Sequence, residues 1–351
     1  MKTIRSWLCI CCVLGFLVNL TGCSSSVEKT EPQGRAFFTY FDTVSYVYSY
    51  AEDSEEQLDQ RASEVSDILN DYHQLFDIYH EYSGITNLCT VNRMAGGEPV
   101  KVDRKLVDFL LYAKELYERT DGEMNVMLGS VLRRWHDCRE MASEDPQNAS
   151  IPTREALNEA NAHTDISLLE IDEENCTVRI SDAEASIDVG ALGKGYATEK
   201  AAEHLRRIGA EGYVLNIGGN ISIIGTKPDG SSWTTGIRNP LDPAGPHALN
   251  LKLADTSCVT SGIYERYFTV DGVRYHHIID RETLMPADYF SSLTVVTKNS
   301  GLADALSTAL FCMSYEEGMA LAEAMEDVEV LWIFPDGTKK MTPGLNALVT
   351  E

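Results

Sequence analysis

The sequence predicts an α+β fold, and three observations carry that prediction. Two early stretches, 55–79 and 103–120, repeat apolar residues every three or four positions, the period of a helix with one buried face. From 164 to 297 the pattern shortens to strand-length alternation broken by glycine, proline and an Asp-Gly pair. Strand and helix nowhere alternate in the strict order that a parallel sheet requires, and no internal repeat occurs.

Taken in order, the chain opens with Lys2 and Arg5, then an apolar run of 14 residues from Trp7 to Leu20, then Leu20-Thr21-Gly22-Cys23. That run is shorter than the roughly 20 residues a spanning helix needs. Its charged start and small-residue end predict a cleaved lipoprotein leader over 1–22. Cys23 is then the lipidation site, and more than one acyl chain is what stable anchoring takes. The expected location is extracytoplasmic, lipid-anchored to a bacterial cell membrane; a plain secreted protein is the alternative. Residues 23–34 are polar and read as a flexible tether, leaving 35–351 as one folded domain.

Aromatic and β-branched residues over 37–50 predict a strand. Leu58, Ala62, Val65, Leu69, Tyr72 and Phe76 then mark the buried face of a first helix. Asp103 caps a second one that runs to Thr120, where Thr120-Asp121-Gly122 breaks it. The polar stretch 137–150, with Asp145-Pro146, is expected as a surface excursion, and Pro152 opens a short helix. Val178 and Ile180 alternate with polar neighbours as in a strand that includes Cys176, and a helix follows from near Tyr196 to Gly209. Strand returns over 212–225, interrupted at Gly218-Gly219, and Asp271-Gly272 predicts a hairpin between Tyr267 and Tyr275. Helices at 301–313 and 315–325 and a strand at 328–334 close the pattern.

The formal net charge is −25, and −27 once the two leader cations are removed, which argues against nucleic acid as a partner because an acidic surface repels a phosphate backbone. Of nine cysteines, five lie beyond the leader and the lipidation site: Cys89, Cys138, Cys176, Cys258 and Cys312. Their odd number and irregular spacing indicate neither a zinc site nor a disulfide framework, and they read as small core residues.

Three segments can carry chemistry. Ser186-Ile187-Asp188-Val189-Gly190-Ala191-Leu192-Gly193-Lys194-Gly195-Tyr196 sets a carboxylate and an ammonium among three glycines, where backbone can approach an anion closely. It matches neither the P-loop nor the dinucleotide fingerprint, and alone it reads equally as a strand-to-helix turn with a surface lysine. Asp304 and Thr308 stand four residues apart, one turn of helix, and offer two hard oxygens of the kind that hold magnesium beside a phosphate. A carboxylate near a helix start beside a core threonine is the plainer alternative. His276 and His277 fall on an alternating run, so one of them faces a cleft and can take a proton from a hydroxyl, or both are structural.

Together these stretches resemble the ApbE family of FAD:protein FMN transferases. The matching segments are Phe41-Asp42-Thr43-Val44, Tyr79 to Ser83 with Asn92 beyond, Thr120 to Asn125, Ile187 to Tyr196, Asn216 to Asn220, Trp233 to Pro240, Thr260-Ser261-Gly262, His277 to Pro286 and Asp304 to Thr308. The resemblance implies an ApbE-like, T-fold-related architecture of two lobes of mixed sheet and helix, with 35–351 as the flavin transferase domain. It implies cleavage of FAD and attachment of FMN, through its phosphate, to a Thr or Ser of a client flavoprotein, with release of AMP. On matching positions, Mg2+ would be held by Asp304, Thr308 and the Ala191 carbonyl. Asp188 and Lys194 would contact FAD, while Phe41, Tyr79, Glu123, Met124, Asn125 and Ile278 would form the flavin pocket. His277 is the expected base and Asp188 its rival. The expected client is an electron-transport subunit at the same membrane face. Competing readings of the same residues are a Mg2+-dependent FAD pyrophosphatase giving FMN and AMP, and a non-catalytic flavin- or solute-binding lipoprotein. The chain departs from the family pattern at Asp42, Asn125, Arg281 and Leu284.

Overall fold

Eight strands lie side by side in the order in which the chain makes them: Gln33–Tyr40, Thr43–Ser49, Tyr213–Ile217, Asn220–Ile224, Ser257–Gly262, Ser292–Thr297, Glu329–Ile333 and Lys339–Met341. Each adjacent pair is antiparallel. This is a computed structural model that describes residues 32–51 and 53–350; the leader, Cys23 and the tether through Glu31 lie outside the described residues. Three smaller sheets accompany the large one: the hairpin Tyr267–Val270 with Val273–His276, the trio Trp233–Ile237, Leu249–Leu253 and Val349–Thr350, and the trio Val100–Lys101, Leu169–Asp172 and Thr177–Ile180.

Helices Glu55–Phe76, Gly193–Arg207 and Ser300–Ala309 supply the main core against that sheet. The first is fixed by a Ser54 capping box and buries Leu58, Ala62, Val65, Leu69, Tyr72 and Phe76, the stripe its period predicts. Asp103 caps helix Arg104–Arg119, which stops at Thr120. Gly218 and Gly219, both at positive φ, turn one strand into the next, as Asp271 and Gly272 do in the small hairpin. No helix among the described residues is long and apolar enough to cross a membrane.

Several local expectations are corrected. Residues 37–50 form two paired strands instead of one, because Phe41 and Asp42 both take positive φ and reverse the chain. Helix Gly129–Glu144 occupies much of the stretch expected as a surface excursion. Its buried Val131, Trp135, Cys138 and Ala142 recur at helical spacing beneath a polar surface that masked it. Cys176 sits in a turn at φ 48° and not in a strand, whereas Val178 and Ile180 are buried. The helix after the glycine loop begins at Gly193, three residues before Tyr196. Cys138 and Cys258 are buried, the other three described cysteines partly so, and all five are free thiols.

Candidate functional site

The glycine loop is held from behind before its own side chains act. Asn92 donates from Nδ2 to the Ile187 carbonyl at 2.9 Å and accepts the Ile187 N–H at Oδ1 at 2.7 Å, pairing with that backbone as a neighbouring strand would. The next amide, of Asp188, donates to the Val126 carbonyl at 2.8 Å. A Cβ on Gly129 would fall 2.4 Å from the Ser186 carbonyl oxygen, so the helix start at Gly129 packs directly on the loop. Asp188 is thereby fixed at the mouth, half-buried, with its Oδ1 accepting from Gly190 N–H at 2.8 Å.

At the far end of the loop the glycine helix crosses helix Ser300–Ala309. A Cβ at Gly195 would sit 2.3 Å from Asp304 Cβ and 2.5 Å from the Ser300 carbonyl oxygen, so only glycine permits this crossing. Glu199, one turn on, is buried beside Arg206 and accepts the Ser300 N–H at 2.6 Å, fastening the two helices a second time. The Gly195 N–H donates to Asp304 Oδ2 at 2.7 Å. In a regular helix that amide would donate to the carbonyl four residues back, which belongs to Ala191. Among the described residues Gly193 N–H reaches Val189 and Tyr196 N–H reaches Leu192, but no backbone N–H reaches the Ala191 carbonyl oxygen.

The expectation that amides of this helix start serve a phosphate is narrowed by the same geometry. Gly193 N–H donates to Val189, Tyr196 N–H to Leu192 and Gly195 N–H to Asp304, so three of the four amides from 193 to 196 are spent inside the protein. The Lys194 side chain supplies the positive charge instead. It forms no ion pair among the described residues, and its ammonium acts electrostatically on both Asp304 and His277.

Asp304 is 5% exposed, and burial raises its pKa against the opposing pull of Lys194, the Gly195 amide and Asn220. Thr308, half-buried one turn later, makes no hydrogen bond through its hydroxyl among the described residues. Asn220 leans on the Asp304 carboxylate while its buried Nδ2 lacks a partner of good geometry. A buried carboxylate, a free hydroxyl and an undonated carbonyl supply three oxygens that fit a hard cation. The described residues contain no cluster of three or more His, Cys, Asp or Glu side chains suited to a metal, so an ion here would have one carboxylate and otherwise draw on backbone, hydroxyl and substrate oxygens.

His276 and His277 do face opposite sides. His276 is buried and its Nε2 bonds the Ala287 carbonyl at 2.8 Å, a structural role. His277 is exposed at the wall of the recess, with Nδ1 3.1 Å from the Arg266 carbonyl. That carbonyl can only accept, so Nδ1 carries the proton and Nε2 keeps its lone pair toward solvent. Desolvation by the recess, helped by Arg266 and Lys194, lowers its pKa to about 3. His277 is therefore a neutral imidazole at physiological pH.

The residues expected around a flavin lie on loops. Tyr79 is 56% exposed, its ring 5.2 Å from that of His136, and burial of the hydroxyl together with nearby Asp188 raises its pKa to about 12. Glu123 is raised by burial and held by Arg281 at 2.8 Å, which also donates to the Asp121 carbonyl. Arg281 thus does more than alter a turn: it ties the 280–286 loop to the 121–125 loop. Leu284 takes φ 59° where the family often has glycine, a conformation that costs a branched residue about 1 kcal/mol. Its carbonyl accepts Trp135 Nε1 at 3.0 Å and its side chain is buried. Met124 is buried, Asn125 spends its amide on Met127 N–H and the Thr164 carbonyl, and Ile278 is buried with its carbonyl taken by Ala287 N–H. Phe41 packs edge-on to His73 at 5.5 Å, beside the Tyr79–Tyr82 loop, where Asp42 acts on both tyrosines.

Sequence reasoning missed the basic side chains at the mouth. His136, Arg266 and Arg139 all act on Asp188, holding down a pKa that burial raises. Arg139 donates to His136 Nδ1 at 2.8 Å. The spacing of Val131, Trp135, Cys138 and Ala142 was the available signal, since a helix there sets His136 and Arg139 on one face.

The model of the ApbE family matches residues 41–332. The chain is 34% identical over 272 residues, 74% of itself and 73% of the relative, to a FAD:protein FMN transferase of Treponema pallidum (strain Nichols). It is 30% identical over 344 residues, 96% of each chain, to a FAD:protein FMN transferase of Vibrio cholerae. Among solved structures, an ApbE protein from Thermotoga maritima is similar with a TM-score of 0.78 at 26% identity, covering 92% of this chain and 100% of that one. A flavin transferase ApbE from Vibrio cholerae gives 0.74 at 26% identity, covering 91% and 100%. Sequence and fold agree, and the chain belongs to the ApbE family.

Proposed function

We propose that this chain is a Mg2+-dependent FAD:protein FMN transferase that joins FMN through its phosphate to a Thr or Ser hydroxyl of a client flavoprotein and releases AMP. The observation that carries the reading is the Gly195 N–H turned to Asp304 Oδ2 at 2.7 Å, which leaves the Ala191 carbonyl oxygen without a backbone donor among the described residues. The Lys194 ammonium, on the same loop, acts electrostatically on both the Asp304 carboxylate and the His277 imidazole. The names of the relatives support the same chemistry.

Asp304, Thr308 and the Ala191 carbonyl would hold Mg2+, which when bound neutralises charge on the pyrophosphate. Asp188, fixed by Asn92 through Ile187, and Tyr79 would position the flavin half, with Glu123, Met124, Asn125, Ile278 and Phe41 completing the pocket. His277 Nε2 accepts the proton of the incoming hydroxyl. The freed oxygen attacks the FMN phosphorus, the phosphorus–oxygen bond to AMP breaks, and AMP leaves with the electron pair. Lys194 offsets the charge that grows there. His277 is preferred to Asp188 on geometry: its Nε2 makes no hydrogen bond among the described residues, whereas Asp188 Oδ1 is already taken by the Gly190 N–H.

The lipobox ending in Cys23 supports anchoring outside the cytoplasmic membrane, where an electron-transport flavoprotein would be a client on the same surface. The test is to incubate the chain with FAD, Mg2+ and an apo-flavoprotein domain and to read flavin fluorescence on a denaturing gel. A fluorescent client band that chelator abolishes is expected. Free FMN and AMP without a labelled client would establish hydrolysis instead, and FAD bound intact would establish a carrier.

A further inference from the structure

Beside the recess, helix Gly129–Glu144 and strand Tyr267–Val270 leave a groove of about 440 Å³ lined by Arg139, Ser143, Pro146, Tyr267 and Thr269, among others. We propose that this groove receives the acceptor-bearing segment of the client polypeptide in extended form, an inference that rests on the transferase reading.

Continuity with the reacting recess is the first support. Arg139 lines the groove and also acts on Asp188 and Tyr79. Arg266, the residue before Tyr267, gives its carbonyl to His277 and its charge to Asp188. The groove wall at Tyr267 is thus one residue from the carbonyl that holds His277, and a chain lying there would bring an acceptor hydroxyl to the free Nε2.

Shape and charge are the second support. Among the described residues Tyr267–Val270 pairs with Val273–His276 alone, in a two-stranded sheet, and Tyr267, Phe268 and Thr269 line the groove, so the strand has an unpaired edge open to an added strand. Tyr267 is 41% exposed and stacks with Arg274, 4.7 Å from its ring, an anchor of the kind interfaces favour. Helix 129–144 and residues 264–276 together carry five arginines and five carboxylates, net zero, in a chain of net charge −25. Neither Arg139 nor Arg266 pairs with a carboxylate among the described residues. This is the face of an acidic enzyme that does not repel another protein chain.

Ser143→Trp and Thr269→Trp plug the groove from exposed positions away from the reacting residues. Client labelling is followed against client concentration, FAD affinity by flavin fluorescence quenching, and binding of the dye-labelled apo-client domain to the FAD-loaded enzyme by anisotropy. Each plug is expected to raise KM for the client about tenfold and to weaken client binding equally, with kcat and FAD affinity unchanged. Unaltered client binding in both plugged variants overturns the proposal, as does an unplugged enzyme that neither binds nor labels the client. If the plugs abolish client binding while the unplugged enzyme binds the client without labelling it, the groove stands and the transferase reading fails.

Discussion

The two ends of the recess are built on different principles. At the end proposed for the phosphates, Gly195, Asp304, Ser300 and Glu199 meet through backbone contacts and a helix crossing that admits no side chain at Gly195. At the end proposed for the flavin, Tyr79, Glu123, Arg281 and Phe41 sit on loops and meet through side-chain contacts that leave several of them half open to solvent. All four departures from the family pattern, Asp42, Asn125, Arg281 and Leu284, lie on the loops of that second end. Reaction geometry tolerates little displacement, so it is set by main chain, whereas recognition can be retuned by exchanging one side chain for another.

The largest expected effect is at the crossing. Gly195→Ala should abolish client labelling and lower unfolding free energy in urea by about 3 kcal/mol, because the added carbon meets backbone that has nowhere to go. Near-normal stability with full activity would show that the crossing is looser than these contacts imply. Next comes Asp304→Asn, which keeps an oxygen for the Gly195 amide but loses the charge. Labelling should fall about 10²–10³-fold, several kcal/mol of barrier, while the urea midpoint stays close to that of the parent chain. Equal loss of folding and activity would make Asp304 a structural residue.

His277 sharpens the contrast through pH. With a folded-state pKa of about 3, below the ordinary histidine value, its imidazole stays neutral as pH falls through 6.5. The profile of kcat/KM should therefore show no histidine limb near pH 6.5; such a limb, lost in His277→Gln, would place the group in an ordinary solvent environment. The sign for stability follows from the same shift. Below the unfolded value the unfolded chain takes up the proton and the folded one does not, so this residue costs stability progressively as pH drops toward 3. His277→Gln should flatten that part of the stability curve.

The smallest effect belongs to the flavin end. Arg281→Ala removes a partly exposed partner of Glu123, an interaction of about 1 kcal/mol or less, and should raise KM for FAD no more than about fivefold with kcat preserved. A collapse of kcat would mean that the loops at this end also fix the reacting atoms.

Much of this division was legible in the sequence, and the exceptions have physical causes. The apolar period of 55–76, the Asp103 cap and the glycine turns at 218–219 and 271–272 are local signals that tertiary packing did not override. Asp304, Lys194 and His277 were named from residue type and resemblance, but nothing local says that one ammonium acts on both partners. Helix Gly129–Glu144 was hidden because its buried stripe is narrow and its surface polar, and with it went His136 and Arg139. The Phe41–Asp42 reversal was read through as strand because an aromatic residue is rare at positive φ and no glycine follows Asp42 to mark a turn. Leu284 escaped for the same reason: its left-handed backbone is held by Trp135 from a distant helix and by burial of its own side chain.

The account rests on the Gly195 amide turning to Asp304 and freeing the Ala191 carbonyl as a third oxygen. Crystals grown with FAD and Mn2+, examined by anomalous scattering, test this directly. The expected result is one Mn2+ peak within about 2.3 Å of the Ala191 carbonyl, Asp304 and Thr308 oxygens, beside the pyrophosphate. A bound FAD whose metal lies elsewhere, with Gly195 N–H donating to Ala191, would contradict it.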